Sequence, residues 1–196
     1  MTWKKKLAGV LLLHLPFGVL ILLSSLIQPA QSKFVFQTRY AVVIAENEAD
    51  FLEMERRLHF SSSGATQPPR VTGELAHHPA FPRLAAKIDA ILLRTSYLLT
   101  LRPPGQSRLR INLVENGKEV HKLHRALMAG QSQGMFGFGS LEAFYEVSSR
   151  TIYLSLKDLH EGILAHEIAH YLLCAISPRP SSAVQEAWAQ YVESNL

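Results

Sequence analysis

His166-Glu167-Ile168-Ala169-His170 sets two imidazoles and a carboxylate within one short stretch. Residues four apart on a helix lie on one face a turn above each other, so His166 and His170 can hold one metal ion in neutral form. Glu167 then falls beside the metal's open position. A carboxylate there can take a proton from water and later hand it to a leaving amine. The predicted chemistry is zinc-assisted hydrolysis with Glu167 as general base.

In a chain holding 9 histidines, so short a pattern arises by chance at roughly a few per cent, and the elements around it must decide. Asp158 and Glu161 read as an Asp-x-x-Glu capping box, and Ile163, Leu164, Ile168, Leu172 and Leu173 form an apolar run. Ser177-Pro178 is expected to stop that helix. A catalytic zinc usually has three protein ligands, and Glu186 is the best candidate for the third. Ser182 to Gln185 reads as a second capping box, which would put Glu186 in the first turn of a helix running to about Ser194. The rigid turn from Ile176 to Ser181 would fold this helix back beside the first.

The run His166 to Tyr171, followed by Gln185-Glu186-Ala187-Trp188-Ala189-Gln190-Tyr191-Val192-Glu193, resembles the gluzincin metallopeptidases. The likeness is to their small peptidase MA-like and minigluzincin members. Their later E-[GA]-x-A-x-Y helix is matched by Glu186, Ala187, Ala189 and Tyr191, with Ala187 where Gly is commoner. The resemblance implies zinc ligands at His166, His170 and Glu186, and Glu167 as general base. Arg150 to Leu156 is similar to the active-site edge strand that precedes the motif helix in that family. Weaker similarity in element order reaches back to about Phe34. The chain stops ten residues after Glu186, so no C-terminal lobe is expected.

With 196 residues, 47% of them hydrophobic, the chain supports one core. Residues 1–30 read as a membrane anchor or signal segment and 31–196 as the metallopeptidase domain. Lys4-Lys5-Lys6 precedes an uncharged run over 7–27 that is long enough to span a bilayer of about 30 Å. An uncleaved anchor is the favoured reading, with secretion after cleavage near Ala30 as the alternative. In either case the lysines stay cytoplasmic and the remainder is extracytoplasmic, periplasmic in a bacterium. Setting those lysines aside drops the formal charge from +4 to +1, which leaves no nucleic-acid footprint. The single Cys174 excludes an intrachain disulfide and reads as packing.

The expected fold is α+β and zincin-like: a small mixed sheet, the motif helix and a glutamate-bearing helix, preceded by the N-terminal apolar helix. Phe34 to Ile44 reads as a strand, Glu48 to Phe60 and Phe81 to Leu101 as helices, and Ser61 to Pro82 as an exposed loop. Arg108 to Val114 alternates like a half-buried strand, Glu119 to Ala129 reads as a helix, and Ala143 to Val147 with Thr151 to Leu156 as a hairpin. Gly134 to Gly139 is either a mobile rim over substrate or a tight connection whose aromatics fill the core. His121 and His124, without a third ligand nearby, read as a solvated face, His77-His78 as loop composition and His160 as a surface or cap residue. Tyr191 could support the site or pack its helix, and Glu193, seven residues after Glu186, faces the same way and could hydrogen-bond a ligand histidine. The function expected is hydrolysis of peptide or protein substrates lying along Thr151 to Leu156. The rival is a membrane-anchored binding or assembly protein that uses the fold without turnover.

Overall fold

The computed structural model describes residues 33–60, 78–105, 108–129, 141–176 and 178–196. Ten elements follow in chain order: β1 (Phe34–Gln37), β2 (Ala41–Ala45), α1 (Glu48–Arg57), α2 (Ala80–Leu98), β3 (Leu109–Val114), α3 (Gly117–Met128), β4 (Ala143–Glu146), β5 (Thr151–Ser155), α4 (Glu161–Cys174) and α5 (Ser182–Asn195). The class is α+β, with one five-stranded mixed sheet in the order β1-β2-β3-β5-β4. The inner pairs β2/β3 and β3/β5 are parallel, and each outer strand is antiparallel to its neighbour.

Alternation decides which face each side chain serves. Val43, Ile111, Ile152 and Tyr145 are aligned across the sheet on one face. That face joins a core with Phe51, Phe81, Ile88, Ile91, Leu164 and Ile168. On the opposite face Phe144 stacks on Tyr153 and meets the His124 ring of α3 edge-on. The first face therefore holds α4 against the sheet. Tyr145 meets Tyr171 of α4 with ring centroids 6.0 Å apart.

Several boundaries differ from expectation for local reasons. Phe34 to Ile44 is two strands, because Asp89 of α2 binds the intervening turn through the Thr38 hydroxyl and the Arg39 and Tyr40 amides. α1 stops at Arg57, while α2 begins at Ala80, inside the stretch read as loop. Its end comes before Leu101, where Thr100 takes a left-handed φ of 54°. Near the end of α2, Tyr97 is 75% exposed. Asn116 caps α3 by accepting from the Lys118 and Glu119 amides, so that helix starts at Gly117, ahead of the expected Glu119.

The most consequential correction concerns β5. It lies between β3 and β4, with both backbone edges paired, so Thr151 to Leu156 is not an edge. The edge strand beside α4 is β4. The apolar run over 7–27 and the Gly134 to Gly139 loop lie outside the described residues, among which no helix is long and apolar enough to cross a membrane.

Candidate metal centre

The start of α4 fixes the motif. His160 is the N-cap, its Nδ1 accepting from the Ile163 amide, whereas Asp158, expected in that role, accepts from the Ser155 hydroxyl at 2.5 Å. α4 buries Leu164, Ala165, Ile168, Ala169 and Leu172, and by the helical repeat His166 and His170 share a less buried stripe. α5 packs beside it through buried Ala189 and Val192. Ser181 precedes α5 without a side-chain cap, and Glu186 falls one turn into the helix. Gln185 does not complete a capping box: its amide donates to the Pro180 carbonyl at 2.8 Å, and its oxygen accepts from the Cys174 thiol.

His166, His170 and Glu186 converge into a group that could hold a metal ion. Their facing atoms are His166 Nε2 and His170 Nε2, 3.2 Å apart, with Glu186 Oε2 at 3.7 Å from the first and 3.5 Å from the second. Ligand atoms around a tetrahedral zinc, with bonds of about 2.0–2.1 Å, stand about 3.3 Å from one another. The donor set and its spacing both fit. No other group of three metal-binding side chains occurs among the described residues, and His121 and His124 belong to none.

Neighbours aim the donors. Glu193 Oε2 lies 2.9 Å from His166 Nδ1, so Nδ1 carries the proton and Nε2 presents its lone pair. Gln190 donates to Glu186 Oε1 at 2.8 Å, leaving Oε2 toward the histidines. Burial, and then the electrostatic influence of the adjacent His166 ring, lower the His170 pKa, which favours the neutral imidazole that a metal requires. No model of a known family, no curated protein and no solved structure matches this chain. The site's chemistry therefore rests on its own geometry.

Glu167 is turned inward and 7% exposed. Burial, then the charges of Glu186 and Glu193, push its pKa up to about 8, opposed by the Tyr145 backbone N–H. A bound divalent cation would pull it back down. The Glu186 side chain is 49% exposed, so the group opens to solvent. Tyr191, also exposed, contacts Trp188 edge-on.

Sequence reasoning missed Gln190, Gln185 and Tyr145. For Gln190 the signal was present, since it lies four residues after Glu186 and on the same helical face. Tyr145 reaches the site only through strand pairing, which carries no local signature.

Proposed function

We propose that this protein is a zinc-dependent peptidase of zincin-like architecture. The observation carrying the proposal is the triangle of His166, His170 and Glu186 donor atoms with the buried Glu167 carboxylate on the same helix. Zinc, when bound, polarises the scissile carbonyl and makes water more acidic. Glu167 accepts the proton from water as the water attacks, then delivers it to the departing amine. Glu193 and Gln190 keep the ligands aligned during both steps. Export, with anchoring through residues 7–27, belongs to the same reading.

β4 supplies the way to bind a peptide. Ser155 N–H donates to Glu142 O at 2.8 Å, so the hydrogen-bonded pairs are 142/155, 144/153 and 146/151. The backbone groups of Ala143 and Tyr145 consequently point off the sheet edge. A peptide strand can pair there, beside Glu167. The opening to solvent and the inward carboxylate favour turnover over the non-catalytic alternative, since a purely structural zinc is closed by four protein ligands and needs no base.

The test is zinc content and peptide hydrolysis of the purified full chain and two variants. About one zinc per chain is expected in the wild type, with loss in Glu186→Ala. Glu167→Gln should retain zinc while hydrolysis falls at least about 100-fold. Retained hydrolysis in Glu167→Gln removes that residue's role, and unchanged zinc affinity in Glu186→Ala removes the three-ligand site.

A further inference from the structure

Ala189 and Val192 are the residues that α5 buries. A second apolar stripe runs along the same helix and is turned to solvent. Ala183, Val184, Ala187, Trp188 and Tyr191 recur at the spacing of one helical face, and all five are exposed. Val184 and Trp188 are 45% exposed and Tyr191 44%. With Leu98 of α2 they line a groove of about 740 Å³ that has no charged side chain in its walls. Arg94 of α2 donates to the Asn195 carbonyl at the end of α5, and its guanidinium lies 5.6 Å from the centre of the Tyr97 ring. The exposed Tyr97 is thereby held beside the seam between the two helices.

Apolar side chains scattered singly over a surface are ordinary, whereas a contiguous apolar stripe marks an interaction surface. Two properties of this one point to a second copy of the chain. The stripe is complementary to itself. Trp188 and Tyr191, in edge-on contact with ring centroids 5.7 Å apart, form a projection, and Ala183 and Ala187 leave a hollow beside it. A two-fold contact needs projection and hollow on one patch, because both copies present the same surface. Its area is also of the right order: at their observed exposures, Val184, Trp188, Tyr191 and Tyr97 present on the order of 500 Å², so two copies would cover on the order of 1,000 Å², the least that a specific interface needs. The groove holds no charge that would repel its own copy.

We propose that this stripe is a homodimer interface in which two α5 helices cross antiparallel about a two-fold axis between Ala187 and Trp188. An axis at that point uses the whole stripe. Trp188 lies against Ala187 of the other copy, and Tyr191 against Val184, so each large side chain meets a small one. The alanines let the helix axes approach to about 8–10 Å. α5 also carries Glu186 and Glu193, and a second copy therefore braces, from outside, the helix that completes the metal group. The interface does not rest on the peptidase reading, since it uses none of the three metal-binding side chains.

The experiment uses the full chain with Cys174→Ser, which removes its single cysteine. Val184→Cys and Tyr191→Cys are introduced singly and together, and each protein is mildly oxidised. Positions 184 and 191 stand about 10 Å apart along one helix, too far for an internal disulfide, which needs Cα atoms within about 7 Å. The double variant should therefore link to a second copy, and at least about 10-fold more than either single variant, because 184 meets 191 and neither position meets itself. In the cysteine-free protein Trp188→Asp should weaken association at least about 10-fold by sedimentation, with far-ultraviolet circular dichroism unchanged. If Trp188→Asp does not fold, the cross-linking pattern, read on proteins that keep Trp188, decides alone. A double variant that stays monomeric, or single variants that link as well as the double, overturns the proposal. So does association that survives in folded Trp188→Asp, which would place the contact elsewhere in the chain.

Discussion

Glu193 touches His166 from the side away from the metal group, and it can do so because Gly162 has no side chain. A Cβ at Gly162 would lie 3.1 Å from the His160 ring and 3.2 Å from Glu193 Cγ. Both must give by a few tenths of an ångström: the flexible Glu193 side chain, and the His160 ring that caps α4. Gly162→Ala is therefore expected to lower zinc affinity and, because the added methyl also presses on the α4 cap, to lower the melting temperature despite better helix propensity. Glu193→Ala should lower zinc affinity about 10–100-fold, as loss of a group that orients a metal-binding histidine does elsewhere. Zinc titration against a competing chelator, beside thermal melts, checks both; a Gly162→Ala variant with full affinity would show that Glu193 does not need its present position. At this scale the sequence was most legible. His166, Glu167 and His170 are related by helical geometry alone, and Glu186 by one short turn. Gly162 and Tyr145 act through contacts from distant parts of the chain or through packing at one atom, which no local pattern encodes.

Among the elements, the β4–β5 hairpin is the one whose local chemistry has a pH signature. Burial, the largest single influence on Glu146, raises its pKa, but the Ser148 and Ser149 side chains and amides together bring it from an ordinary 4.5 down to about 2. A carboxylate depressed on folding contributes stability that is present above its unfolded pKa and lost as pH falls through its folded one. Melting temperature should thus decline between about pH 4.5 and 2 more steeply in the wild type than in Glu146→Gln, whose stability should already be lower at neutral pH. Parallel curves for the two proteins would refute this. Element types were readable from alternation and helical spacing, as in Leu109, Ile111 and Leu113 of β3. Sheet order was not. β5 follows β4 in sequence yet takes the inner place, because it pairs in parallel with β3, and nothing within Thr151 to Leu156 states which partner it will have on either side. Likewise the break between β1 and β2 depends on Asp89, some fifty residues away.

For the molecule as a whole, the core does not run through the metal group. α4 and α5 are joined by buried Ile168, Ala169, Ala189 and Val192, while the donor atoms lie on the open side. Chelation should therefore leave a folded protein with a lower melting temperature. Zinc held at 100 times its dissociation constant would restore about 2.7 kcal/mol. Far-ultraviolet circular dichroism with and without chelator distinguishes this from collapse: a metal-free protein lacking helical signal at room temperature would make the metal part of the fold. The fold class was accessible from the alternation of periods along the chain, whereas the mutual placement of helices over the sheet came only from tertiary packing.

Because the amide of Tyr145 is turned to Glu167, the outer rim of β4 offers its neighbour an unequal set of partners at that residue: a carbonyl that can accept, and no amide left to give. A chain laid along the rim must present an N–H opposite Tyr145, which proline lacks. Moving a proline stepwise through an otherwise cleavable peptide should locate one position at which cutting stops, and that position fixes the phase in which the peptide is read.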